Sequence, residues 1–277
     1  MKRAWLVTNS GSGSTSEEGC AAIIAALAVR EISLAGQTDF PADDLPTAST
    51  LARAGADLVV LYAGDGTINA TLSALAEWHG RFLILPGGTM NLLAKALHGP
   101  ADAAAIIAVL DETTVPVAIP FIEAAGQRAY VGLILGPAAS WFRAREAVRG
   151  RNFRRLLRAV RLAWERTFRD RVRISGVPEM RGGFQAIFVS PQADGIHLAA
   201  IEAGEWRLIT QLGWNWLTGD WLAAEAVVDR IAASCAVRSR RDVLALFDGE
   251  PVMLKPGTMI AAQTSLPVFI ATAKVNE

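Results

Sequence analysis

Before residue 98, a short apolar run ends three times in a turn of glycine and hydroxyl side chains and passes straight into a helical pattern. The runs are "RAWLVT" (3–8), "DLVVLYAG" (57–64) and "RFLILPGG" (81–88); the turns are "TNSGSGS", "AGDGT" and "PGGTMN". Uninterrupted apolar runs rich in branched residues are the mark of parallel strands buried on both faces. Their alternation with helical patterns calls for an α/β domain with a parallel sheet and helices on both of its faces. In such a sheet ligands gather at the carboxyl ends of the strands. All three turns lie there.

The helices expected from periodicity and caps are 16–29, 47–55, 67–78, 90–97 and one near 101–110, with a second strand in 30–36. Ser16 reads as an N-cap, with Glu17 and Glu18 complementing the helix dipole. Beyond "DETTVPVAIP" the helical period is lost. Short alternating runs near 184–190, 196–202, 206–211, 226–238, 242–248 and 258–272, with hairpins at 124–127 and 203–205, predict a mostly antiparallel β-sandwich. The expected division is an α/β domain over 1–115 and a β-rich domain over 116–277, a length that gives each part its own core. The opening "MKRAWLV" reads as a strand rather than a signal peptide, and no apolar run reaches the ~18 residues that span a bilayer. Cys20 and Cys235 match no metal or redox spacing, and His79, His98 and His197 are scattered, so reduced thiols in a cytoplasmic protein are expected.

Each turn carries chemistry as well as a bend. In the first, small residues expose N–H donors, and Ser12 and Ser14 offer hydroxyls to phosphate oxygens; a plain βα turn is the alternative. No Gly-Lys-Ser/Thr follows, so this is not a Walker loop, and Gly11-x-Gly13 lacks the third glycine of a dinucleotide fingerprint. In the second, Gly64 and Gly66 flank Asp65, which can coordinate Mg²⁺ or receive a proton, while Thr67 can cap the helix or donate to a phosphate. In the third, the Gly87–Gly88 pair brings backbone near a ligand, and Thr89 and Asn91 stand at a helix N-terminus, where capping is again the alternative.

These residues resemble the diacylglycerol kinase catalytic domain family, shared by bacterial lipid kinases, sphingosine kinases and ceramide kinases. The family's Asn-Pro-x-Ser-Gly is matched at Asn9, Ser12 and Gly13, its Gly-Gly-Asp-Gly-Thr from Gly64 to Thr67, and its Pro-x-Gly-Thr-x-Asn at Pro86, Gly88, Thr89 and Asn91. Asp248-Gly249-Glu250 resembles the Asp-Gly-Glu from which the family's general base is proposed; without the resemblance, "FDGEP" reads as a hairpin turn. Asp194-Gly195 resembles an Asp-Gly associated with a structural Mg²⁺ in some members. The resemblance implies ATP- and Mg²⁺-dependent transfer of a γ-phosphoryl group to a lipid hydroxyl. It places Asn9, Ser12, Gly13, Gly64, Asp65, Gly66, Thr67, Gly88, Thr89 and Asn91 at the nucleotide, Asp65 at its Mg²⁺, and Asp248, Glu250 and Asp65 at the chemistry. The sequence departs from the pattern at Ser10 (usually Pro), Ala63 (Gly), Ala70 (often Glu), Leu92 (Asp) and Leu198 (a second Asp).

The whole chain is neutral, yet residues 143–173 carry twelve Arg against Glu146, Glu165 and Asp170, a net of +9 that leaves the remainder at −9. Within 151–169, Phe153, Leu156, Leu157, Val160 and Trp164 form one helical stripe, with Arg151, Arg154, Arg155, Arg158, Arg161 and Arg169 mostly off it. A basic amphipathic helix of this kind suits an anionic membrane surface at the inner face, or packs its stripe on the β domain. No aromatic-basic strand motif supports nucleic acid. Trp206, Trp214, Trp216 and Trp221 line an acyl-chain slot or serve as core. The rival readings are an NAD kinase-like enzyme, against which "PGGTMN" and "DGE" stand, and a catalytically silent lipid- or nucleotide-binding relative, favoured by Ala70 and Leu198.

Overall fold

The apolar runs become strands and the capped segments become helices in the computed structural model, which describes residues 3–12, 15–89, 91–110, 114–136, 171–201, 228–266 and 268–272. The first part runs β1 (Arg3–Thr8), α1 (Glu17–Val29), β2 (Ser33–Asp39), α2 (Ala48–Ala54), β3 (Leu58–Ala63), α3 (Asp65–Ala74), β4 (Arg81–Pro86), α4 (Leu92–His98), α5 (Ala103–Ala108) and β5 (Val115–Val117). The second runs β6 (Pro120–Ala124), β7 (Gln127–Ala129), β8 (Leu133–Leu135), β9 (Ile174–Ser175), β10 (Ala186–Gln192), β11 (Gly195–Ile201), β12 (Val228–Ala232), β13 (Ser234–Val237), β14 (Val243–Phe247), β15 (Glu250–Leu254) and β16 (Met259–Thr264). A last strand, β17 (Val268–Ala271), follows.

The cap expected at Ser16 is present, and Thr47 and Asp102 cap two further helices. Ser16, Thr47 and Asp102 each accept a backbone N–H three residues on, at the starts of α1, α2 and α5. Strand β2 starts three residues later than the 30–36 run because those residues close α1. Ile32 N–H returns to the Leu27 carbonyl at 3.0 Å, and Glu31 adopts a φ of 57°.

The chain divides into two units, one of Met1–Ile119 with Thr264–Glu277 and one of Pro120–Gln263. In the first, one mixed sheet has the order β2-β1-β3-β4-β17-β5, parallel except for β5 against β17. Ile23 and Leu27 of α1 and Ile106 and Ile107 of α5 pack with Leu6, Val60, Leu83 and Leu85. Each such buried side chain contributes about 1.5–3 kcal/mol. On the opposite strand face, Trp78 meets Phe82 edge-on at 5.3 Å, and Phe82 stacks on Phe269 at 5.5 Å.

That stack explains a correction to the domain range expected over 116–277. The run expected over 258–272 is two strands, and its second half, β17, joins the first unit beside β4 with Phe269 opposite Phe82. The run expected over 226–238 is likewise two strands, one in each sheet of the second unit. Those antiparallel sheets have the orders β12-β11-β10-β8-β14-β15 and β7-β6-β16-β13-β9. Their shared core includes Leu133, Ile187 and Leu198 from one and Ile122, Cys235 and Ile260 from the other.

The hairpin expected at 203–205, the strand at 206–211, the Arg-rich segment 151–169 and Trp206, Trp214, Trp216 and Trp221 lie outside the described residues. Among the described residues no helix is long and apolar enough to cross a membrane.

Candidate active site

The ends of β1, β3 and β4 carry the three turns, and side chains fasten those turns to one another. After β1, Ser10–Ser12 form a 3-10 turn. The Asn9 side-chain amide donates to Thr67 Oγ1 at 2.9 Å, tying the first turn to the second. Ser10 is held from the other side. Its N–H donates to Asp39 Oδ1 at 2.7 Å, and its hydroxyl donates to Asp39 Oδ2. The Ser10 hydroxyl, and then its amide, hold the Asp39 carboxyl below the usual carboxylate range, with partial burial opposing them.

Helix α3 begins two residues earlier than expected, so Thr67 is not its cap. Gly64 is the N-cap and offers no side-chain bond. Thr67 lies buried in the first turn with its hydroxyl turned toward Asn9. Asp65 opens the helix, and its Oδ1 accepts the N–H of Leu92, the first residue of α4, at 2.8 Å. The carboxylate between the glycines thus does for α4 what a cap would do, from 27 residues away.

Asn91 is correspondingly relieved of capping. It takes the left-handed conformation (φ 52°, ψ 44°) and makes no side-chain cap bond. Its Oδ1 accepts the Gly88 N–H at 2.6 Å and its Nδ2 donates to the Gly88 carbonyl at 3.0 Å, closing the third turn on itself. Thr89 is exposed beside it. A Cβ on Gly88 would stand 2.6 Å from Gly64 Cα, so the meeting of the second and third turns requires glycine at 88. Gly64 is different. Its own Cβ would meet nothing nearer than Gly88 Cα at 3.8 Å, and its φ of −78° is open to any residue. The fold does not ask for glycine at 64.

Asp248 lies in the second unit, at the turn between β14 and β15, with a φ of 47°. It is 8% exposed. Its Oδ2 accepts the Tyr130 N–H at 2.7 Å, and its Oδ1 accepts those of Val131 and Gly132 at 2.9 Å each. The hairpin is there, and its Asp grips a backbone segment more than a hundred residues away. Glu250 opens β15 and is exposed.

Asp194 sits in the tight turn joining β10 to β11 and is exposed, while Leu198 is fully buried in the core, where no ligand could reach it. Among the described residues no group of three His, Cys, Asp or Glu is placed to hold a metal. Gly13 lies outside the described residues. Both thiols are free, and burial pushes that of Cys235 up to about 12.

Asp39 and the 130–132 backbone escaped the sequence reading. An acid closing the strand next to β1 was the one signal for Asp39. Nothing local marks the amides that Asp248 binds.

Residues 3–120 match the family model described as the diacylglycerol kinase catalytic domain, the family that the turn motifs resemble. A "Diacylglycerol kinase" of Staphylococcus haemolyticus (strain JCSC1435) is 36% identical over 66 residues, which are 23% of this chain and 20% of that protein's length. A solved diacylglycerol kinase from Bacillus anthracis str. Sterne superposes with a TM-score of 0.67 at 15% identity, over 99% of this chain and 98% of its own. A second solved chain from that organism gives 0.65 at 16% identity, over 99% of both. At such identities the structural likeness is one of fold.

Proposed function

Because residues 3–120 match the model of the diacylglycerol kinase catalytic domain family, we propose that the chain is an ATP- and Mg²⁺-dependent lipid kinase. It transfers the γ-phosphoryl group to the hydroxyl of diacylglycerol or a related lipid. The observation that carries this reading is the fastening of the turns. Asn9 to Thr67 and Asp65 to Leu92 hold three strand ends together with side chains, which keeps three glycine-rich turns at one edge of the sheet. Phosphoryl transfer requires positioning and charge neutralisation more than covalent help from the protein.

The residues fit the nucleotide: a glycine the fold does not need stands at 64, and helix geometry leaves the first N–H groups of α3 without acceptors inside the helix. Asp65, directly or through water, would hold the Mg²⁺ that neutralises the phosphates. Thr89 and the Gly88 backbone border the same phosphates. An acid of the Asp248–Glu250 pair takes the proton of the attacking hydroxyl. A carboxylate has about four acceptor positions, and Asp248 commits three of them to amides, which makes it the organiser of 130–132. The two antiparallel sheets form the β-sandwich that receives the lipid, and the Arg-rich segment 151–169 meets the anionic membrane surface.

Incubation of the wild type and Asp65→Asn with labelled ATP, Mg²⁺ and diacylglycerol micelles or a bacterial lipid extract tests this. A labelled lipid formed by the wild type alone is expected. Absence of product from every lipid, with ATP still bound, would leave a silent relative instead.

A further inference from the structure

We propose that Asp39 is a positioning residue for the nucleotide phosphates, its carboxylate clamping both donors of Ser10 and so fixing the turn 9–12 in its binding shape. The inference rests on the kinase reading above and adds a residue that none of the glycine motifs contains. Three observations carry it. The clamp is two-pronged, N–H to Oδ1 and hydroxyl to Oδ2, and Thr8 Oγ1 also reaches Oδ1 at 3.5 Å.

Asp39 is itself anchored. It pairs with Thr8 in the β1–β2 register, and its N–H donates to Asp43 Oδ2 at 2.9 Å. On either side of it, Phe40 N–H donates to the Thr8 carbonyl at 2.9 Å and Asp43 N–H to the Asp39 carbonyl at 2.9 Å. The turn is also held beside Ser10 by Asn9 on Thr67, so the clamp fixes the residue that follows that anchor.

The sign of the effect identifies the role. A carboxylate near a triphosphate repels it, so an Asp39 that acted only through its charge would weaken nucleotide binding. Its removal would then tighten the complex. An Asp39 that acts as a clamp spares the ligand the cost of ordering a turn of small residues, and its removal loosens the complex. Proline at position 10 supplies the same restraint by another route. Its ring fixes φ in the range of a 3-10 turn and it has neither N–H nor hydroxyl to satisfy, so it needs no partner at 39.

The test compares wild type, Asp39→Ala, Asp39→Asn and the double variant Asp39→Ala/Ser10→Pro. Mg·ATP affinity is measured by calorimetry, KM for ATP and kcat in the lipid assay, and exchange of the 9–12 amides by NMR without nucleotide. Asp39→Ala is expected to speed exchange and to weaken ATP binding about tenfold, with KM rising and kcat within about twofold. Asp39→Asn, which keeps one acceptor oxygen, falls between. The double variant returns affinity and KM close to wild type. Unchanged or tighter binding by Asp39→Ala, or no recovery in a folded double variant, overturns the proposal. A wild type that binds no ATP removes the kinase reading and the positioning role with it, while faster exchange in Asp39→Ala would still identify the clamp as a folding contact alone.

Discussion

Asp65 and Asp248 each stand beside a glycine in a tight turn, and each gives its carboxylate to backbone N–H groups distant in sequence, but they are committed to very different degrees. Asp65 accepts from one amide, that of Leu92, and is half-buried. Asp248 accepts from three, is 8% exposed and holds a positive φ to do so. A carboxylate placed like that of Asp65 orients the start of a neighbouring helix. One that grips three amides is a structural knot. The same Asp-Gly pair therefore fixes a helix start in the first unit and a loop backbone in the second.

The largest effect that would break this comparison belongs to Asp248→Ala. It strands two buried N–H groups and one part-buried one, and at about 1–3 kcal/mol each for an unmade bond the loss of stability is expected to be about 3 kcal/mol or more, read by urea denaturation. A loss under about 1 kcal/mol would return Asp248 to the list of proton acceptors. Next is Asp65→Asn. Its amide oxygen still accepts from Leu92, so stability should move by less than about 1 kcal/mol, while phosphoryl transfer falls about a hundredfold or more. Equal losses in both quantities would erase the distinction.

Acid sharpens it further, through the helix whose first N–H Asp65 holds. His98 ends α4, is buried, and bonds Thr272 Oγ1 through Nδ1 at 3.0 Å. Burial lowers its pKa from 6.5 to about 4, with a smaller opposing pull from the Ile84 backbone. As pH falls below about 6.5 the unfolded chain takes up this proton before the folded one, so stability is lost between about 6.5 and 4 and is flat in this group above that. The loss is on the order of 3 kcal/mol. Denaturation from pH 4 to 8 should show this slope in the wild type and a shallower one in His98→Gln; matching slopes would remove His98 as its source. The smallest effect is that of Asn9→Ala, which deletes one part-buried bond to Thr67. About 1 kcal/mol of stability is expected to go, with a modest rise in KM for ATP, measured in the lipid assay.

The sequence made the α/β order readable because each element there is declared locally, by a cap such as Ser16 or by an uninterrupted run such as "LVVLYA". It made the three turns readable as a site because glycine and hydroxyl residues recur at the same edge. What it could not show is how those side chains spend their bonds. Asn9, Asp65 and Asn91 look like ligands of a nucleotide, yet each first bonds the protein: Thr67, Leu92 and Gly88 respectively. Long-range pairing was equally hidden. Nothing in "PVFIATA" announces that Phe269 stacks on Phe82 in the first unit rather than closing the second. Asp39 and the amides of 130–132 became visible only when the fold brought their partners to them.

The central claim is that the turns after β1, β3 and β4 form one phosphate-binding edge. Amide exchange mapped by NMR with and without Mg·ATP tests it most directly. Joint protection of residues 9–12, 64–67 and 87–91, with the rest of the first sheet unchanged, is the predicted result. Protection confined to one turn, or located elsewhere in the chain, would contradict it.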